Sequence, residues 1–204
     1  MDCISIKNQT SLVRVFHASP QAPPVDIYIN ESLAFSNLQY KQFSNYTSLG
    51  VGDYRIDVFQ AGDTTKPIIS GALNIEDGKM LTVAAIGDLN DLGLLLIDDD
   101  VTKETSDNYG SFRIVNLSPN SKSIDVLVNG KSVVMDLEYK QNTSYIDARP
   151  NRYNIDVTQT IEKVLLLSFS ALIKSNRIYT IYILGDIPNI SSLQSVDGNT
   201  YLCK

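Results

Sequence analysis

VRVFHASPQAPPVDIYINESLAFSNLQYKQFSNYTSLGVGDYRIDV, Val13 to Val58, is written twice in this chain. Shifted by 99 positions it falls without a gap on FRIVNLSPNSKSIDVLVNGKSVVMDLEYKQNTSYIDARPNRYNIDV, Phe112 to Val157. Extended to Gln60 and Gln159, the overlay covers 48 positions and holds 15 identities, among them Arg14/Arg113, Pro20/Pro119, Asp26/Asp125, Tyr46/Tyr145 and Tyr54/Tyr153. Ordinary composition gives about 3 by chance. The chain is therefore an internal duplication, and two modules of about 100 residues each need explaining.

Within the repeat the apolar residues alternate. VDIYIN sets Val25, Ile27 and Ile29 against Asp26, Tyr28 and Asn30, the period of a half-buried strand. The preceding strand around Val13 and Val15 ends at Pro20, Pro23 and Pro24, which lack the ladder N–H. Asn129-Gly130 predicts a type I′ hairpin between strands at 124–129 and 131–136. Further strands are expected at DYRIDVFQAG, at Ile68 to Ile75, at MLTVAAIGD with its partner IYTIYILGD offset by 98, and at LLLSFSALI, 165–173. The continuous apolar run Leu92 to Ile97 reads as a central strand or one buried on both sides. Short strands, frequent turns and no convincing helix predict an all-β protein of two tandem antiparallel β-sandwiches, Ig-like or transthyretin-like. The expected boundaries are an arm at 1–11, modules at 12–100 and 111–198, a linker at 101–110 and a tail at 199–204.

Composition narrows the function classes. Lys and Arg number 17 against 23 Asp and Glu, a net charge of -6, with no basic stripe to attract nucleic acid. No run of 18 apolar residues exists to span a membrane. MDCISIKNQT has neither a basic n-region nor an apolar core, so no signal peptide is expected in this chain. No cofactor, metal or small-molecule substrate is indicated.

The runs VRVFHASPQAPPVDIYIN, GVGDYRIDVFQAG and LTVAAIGDLNDLGLLLIDDD resemble the bacterial and archaeal DUF4397 family, whose opening is close to VRVVHASPDAPAVDVYVDG. The match covers nearly all of 12–100; 111–198 matches more loosely, having lost the HASP histidine and two prolines. The resemblance implies a β-sandwich module, often in tandem and often on a cell surface, and it supplies no catalytic residues.

Several residues are candidates for chemistry. His17, the only histidine, could act as a base with Ser19 or Asp26, but the second copy has Asn116 there, and a hydrogen bond that pins the turn explains both. Asp98, Asp99 and Asp100, with Asp88 and Asp91 before them, read either as calcium ligands or as a solvated acidic edge that blocks stray strand pairing. Tyr54 and Tyr153 are placed as tyrosine corners. The repeated Tyr-Lys-Gln triplet makes Lys41, Gln42, Lys140 and Gln141 either turn residues or partner contacts.

Cys3 and Cys203 stand outside both repeats. End-to-end stacking of two modules would hold the termini up to about 80 Å apart, beyond the roughly 30 and 15 Å that the arms can reach. An internal bridge thus needs modules folded side by side; the other states are free thiols or an intermolecular disulfide linking subunits head to tail into a filament. Ile4 and Ile6 could add a strand to a neighbour's sheet. These features lead to an expected non-enzymatic structural protein that self-assembles through its arms into a bacterial surface fibre or layer, such as a spore coat or appendage. The alternative is a monomeric surface module that recognises a glycan or protein.

Overall fold

The structure, a computed structural model, describes residues 3–203 and is all-β. The chain divides into two compact units. The first holds the residues up to Thr102 together with those from Tyr201 on, and the second is Lys103–Thr200. In the first unit the strands are β1 (Thr10–His17), β2 (Val25–Ile29), β3 (Ser32–Leu38), β4 (Thr47–Gly50), β5 (Gly52–Gln60), β6 (Ile69–Ile75), β7 (Met80–Ile86) and β8 (Gly93–Asp98). They form two four-stranded sheets, ordered β4-β1-β7-β8 and β3-β2-β5-β6. The second unit repeats this plan with β9 (Gly110–Asn116), β10 (Ser123–Val128), β11 (Lys131–Glu138), β12 (Ile146–Ala148), β13 (Asn151–Gln159), β14 (Leu165–Ile173), β15 (Ile178–Leu184) and β16 (Ser191–Val196). LLLSFSALI is thus a strand, as its alignment with β6 predicts.

Each unit has a core of its own. Val13, Val15, Val25, Ile27, Ile56, Val58, Leu81 and Val83 meet between the sheets of the first, and Ile114, Ile124, Val126, Ile155, Val157, Ile181 and Ile183 in the second. Two strand expectations need correction. The sandwiches are not wholly antiparallel, because β1 runs parallel to β7 and β9 parallel to β15. An alternating apolar pattern serves either direction, so periodicity could not tell them apart. The run Leu92 to Ile97 forms an edge strand, not a central one. It is apolar because Leu92 and Leu94 pack on the sandwich core while Ile97 is buried on the other side.

That other face of the β1 sheet carries a polar network. Arg14 is 5% exposed and Asp99 fully buried. Arg14 Nε–H donates to Thr82 Oγ1 at 2.9 Å, and the Thr82 hydroxyl donates to Asp99 Oδ2 at 3.0 Å. Tyr46 donates its phenol proton to the same oxygen at 2.8 Å, and the guanidinium lies over the Phe43 and Tyr46 rings. The second unit rebuilds this with Arg113, Thr180, Asp197 and Tyr145, at 2.8, 2.8 and 2.6 Å. Asp99 is therefore not part of a solvated edge, its Oδ2 is taken up by this network, and it has a counterpart in the second copy. Among the described residues no group of acidic, His or Cys side chains is placed to hold a metal. Burying a guanidinium is costly without a partner, so each strand-borne arginine requires its aspartate.

The turns also match across the copies. His17 is 1% exposed, and its Nε2 lies 3.0 Å from the Pro23 carbonyl, which makes Nε2 the protonated nitrogen. Asn116 does the same work by donating to Ser121 Oγ and the Leu137 carbonyl, each at 3.1 Å. Lys41 and Lys140 adopt φ of 69° and 71° in a turn laid against β1 and β9, where Lys41 N–H donates to the His17 carbonyl and Lys140 N–H to that of Asn116. Tyr54 and Tyr153 donate to the carbonyls of Gly50 and Arg149, both four residues upstream, as tyrosine corners do. Asn129 and Gly130 have φ of 49° and 76°, as the type I′ hairpin requires. In the first unit Asn30 and Glu31 take that conformation at 46° and 66°.

The arm and tail complete the first unit. Cys3 and Cys203 form a disulfide within the chain, with Cα atoms 4.9 Å apart, which overturns the intermolecular link. Residues from Tyr201 on belong to the first unit, where Ile4 pairs in parallel with Leu202. Ile4 N–H donates to the Tyr201 carbonyl at 2.7 Å, and Cys203 N–H donates to that of Ile4 at 2.8 Å. The expected linker is held along its length: Lys103 pairs with Asp147 at 2.6 Å, and Asn176 N–H donates to the carbonyls of Ser106 and Tyr109.

Three outcomes are expected. Asp99→Leu alone should cost about 3–5 kcal/mol in urea denaturation, and Arg14→Met combined with it less than the sum of the two single changes. Glu31→Gly should raise stability by about 0.5–1 kcal/mol, since a left-handed side chain costs more than glycine's extra freedom. Burial holds the His17 pKa below its ordinary value. Only the unfolded chain therefore takes up a proton as pH falls below about 6.5, and stability should decline from there until the folded pKa is passed. In His17→Asn, denaturation midpoints between pH 7 and 5 should lose that decline.

Candidate functional site

The outward face of the β3-β2-β5-β6 sheet is where the first unit differs chemically from the second. Strand alternation sends Ile27, Ile56 and Val58 inward and leaves Tyr28, Arg55, Asp57 and Phe59 on the opposite side. Tyr28 stands across from Asp57, and Asp57 across from Ser70, so the three form a row over β2, β5 and β6. The Tyr28 and Phe59 rings meet edge to face, with centroids 5.1 Å apart. Both rings are half-buried, leaving part of each to a ligand.

Arg55 is held beside them. Its Nε is 2.9 and 3.0 Å from the two oxygens of Asp57, while 62% of its side chain remains exposed. Ser70 donates to Asp57 Oδ1. The Ser70 hydroxyl, followed by the Arg55 guanidinium, holds the Asp57 carboxyl below the usual carboxylate range, which makes it a poor general base. Asn74 donates to Asp53 at 2.6 Å, and the Asn30 side chain accepts from the Arg55 backbone at 2.9 Å. An open groove of about 560 Å³ runs along this edge, lined by Asn30, Asp53, Tyr54, Arg55, Ser70, Gly71 and Ala72.

The second unit keeps only the frame. Ser168 donates to Asp156 at 2.6 Å, as Ser70 does to Asp57. Leu127 replaces Tyr28, Asn154 replaces Arg55, Thr158 replaces Phe59 and Arg152 replaces Asp53. Among the described residues, the aromatic pair and the Arg55–Asp57 ion pair are thus brought together on the first module and not on the second. The signal was present in the sequence, at outward strand positions where the two copies disagree. It is missed when only the shared positions are followed.

The residues singled out from sequence lie elsewhere. His17 is taken up by its turn. Gln42 and Gln141 accept through their side chains from the backbone N–H groups of Gln39 and Glu138, closing the same turn as Lys41 and Lys140. Ile4 is paired within the chain, Ile6 is half-buried, and Cys3 and Cys203 are joined to each other. None of these is on the Tyr28 face.

No curated protein matches the chain. Among solved structures it is similar to the TIE protein of Bacillus anthracis, at 12% identity over 87% of this chain and 34% of that one, with a TM-score of 0.30. It is also similar to a family 26 carbohydrate-binding module of Eubacterium rectale in complex with maltoheptaose, at 9% identity over 93% and 99% and a TM-score of 0.31. A third is the fimbrial anchor protein of Porphyromonas gingivalis, at 8% identity over 93% and 98% and a TM-score of 0.28. The chain thus spans about a third of the Bacillus anthracis protein. The sequence profile of a domain of unknown function, DUF4397, matches residues 11–120 and again 110–201. Both sandwiches, with their repeated Arg–Thr–Asp–Tyr networks, are accordingly copies of that domain, and the chain belongs to the DUF4397 family.

Proposed function

We propose that this protein is a non-enzymatic binding module of a bacterial surface that recognises a neutral glycan through the outward face of its first module. The observation that carries this reading is the Tyr28–Phe59 pair beside Arg55 and Asp57, present in one copy of the repeat and replaced in the other. A sugar presents an apolar C–H face and a rim of hydroxyls. The part-exposed aromatic rings suit the first, and the guanidinium, the carboxylates and Asn30 suit the second. Charge selects against anions, because Asp57 balances Arg55 and Asp53 adds a further negative charge at the groove. The disulfide suits exposure outside the reducing cytoplasm. A fibre linked head to tail through the same cysteines loses its covalent joint to that internal bond.

The test is a screen of immobilised neutral oligosaccharides, followed by calorimetric titration of any that bind. Tyr28→Ala and Phe59→Ala should each weaken binding about tenfold, or roughly 1.4 kcal/mol, while Leu127→Ala leaves it unchanged. Retained binding in Tyr28→Ala, or capture of charged glycans alone, would refute the assignment. A protein ligand whose binding is lost in Tyr28→Ala would keep the face and refute the glycan.

A further inference from the structure

The disulfide sits where any load on the chain ends must pass. Cys3 and Cys203 are 200 positions apart in sequence, yet their Cα atoms are 4.9 Å apart and both residues are exposed. Among the described residues, Ile4 bridges Leu202, backbone hydrogen bonds join Ile4 to Tyr201 and Cys203, and the Ser5 hydroxyl lies 3.1 Å from Cys203 Sγ. Hydrogen bonds of this kind are worth about 1 kcal/mol each and yield readily under tension. The covalent bond does not. Both hydrophobic cores lie on the stretch of chain between the two cysteines.

We propose that the Cys3–Cys203 bond is a redox-gated latch, which carries tension applied between the two chain ends and shields both modules from it until a dithiol reduces it. While it is closed, force runs from Cys3 to Cys203 through two sulfur atoms, and neither core is stretched. An external dithiol opens it in two steps. Its thiolate attacks one cysteine sulfur, the S–S bond breaks, and the other cysteine leaves as a thiolate that takes up a proton. The second thiol of the reagent then displaces the protein cysteine from the mixed disulfide, so the reagent ends as a cyclic disulfide and the protein as two thiols, a transfer of two electrons. Exposure of both cysteines gives the attacking thiolate access. After reduction the same tension passes along β1, through both modules and out along the tail. Because each module has its own core, both remain folded until they are pulled.

The experiment stretches the full chain between handles fused beyond its two ends, with and without dithiothreitol, alongside Cys3→Ser/Cys203→Ser. The oxidised chain should give no unfolding step. Reduced chain and double variant should give two, together releasing roughly 65–70 nm of contour length at 3.3–3.6 Å per residue. Unfolding steps in the oxidised chain, or free thiols detected in it without reductant, would overturn the latch. Circular dichroism of the reduced wild type at zero load keeps the test decisive if the variant fails to fold. An unchanged β spectrum is expected, and its loss would overturn the proposal.

Discussion

A buried guanidinium in the middle of the first strand of each module governs what the rest of that module must do. Arg14 and Arg113 cannot be left uncompensated away from water, and no carboxylate on their own strands reaches them. Compensation comes from opposite ends of the module sequence. A tyrosine is brought by the loop before the fourth strand, a threonine by the parallel neighbour, and an aspartate by the residue directly after the last strand, in both copies. Asp99 N–H donates to the Met80 carbonyl and Asp197 N–H to that of Ile178, each at 2.8 Å, so both aspartates are fixed in the ladder as well as to the arginine. The two copies preserve these four side chains while their loops and outward faces diverge.

The legibility of the sequence follows from how local each device is. Asn129-Gly130 states its hairpin in two residues, and the tyrosine corners reach only four residues back. The role of His17 could be read because Asn116 stands at the aligned position and shares its hydrogen-bonding ability. The network was not legible, because its members lie tens of residues apart and Asp99 is masked by Asp98 and Asp100, which have the same chemistry and are exposed. Its counterpart Asp197 stands without acidic neighbours, and the offset has by then changed from 99 to 98. The state of the cysteines is illegible for a similar reason. Reach counted from the module ends leaves three states open, and the placement of the residues from Tyr201 on with the first unit is a long-range fact that no local pattern states.

The Tyr28 face was hidden by a different logic. Following what two copies share leads to scaffold, since hydrogen bonds that close turns and cores that fill sandwiches are needed twice. A surface that serves one ligand is needed once. Within a duplicated protein the informative positions are therefore solvent-facing ones on matched strands where the chemistry changes, such as Tyr28 and Leu127 or Phe59 and Thr158. Alternation alone identifies them, provided the inward residues are first assigned to the core.

Parallel pairing between β1 and β7 also sets an order of events during synthesis. β1 has β4 on one side, but its other edge waits for a strand 68 residues downstream, as Leu12 opposite Met80 shows, and β15 offers a closely similar edge later still. Tandem relatives are prone to exchange such strands. At about 5–20 residues per second, β7 is made roughly 5–20 s before β15. The order of synthesis thus offers β1 its own partner before that of the second module, and the remoteness of β7 in sequence is what makes the order matter.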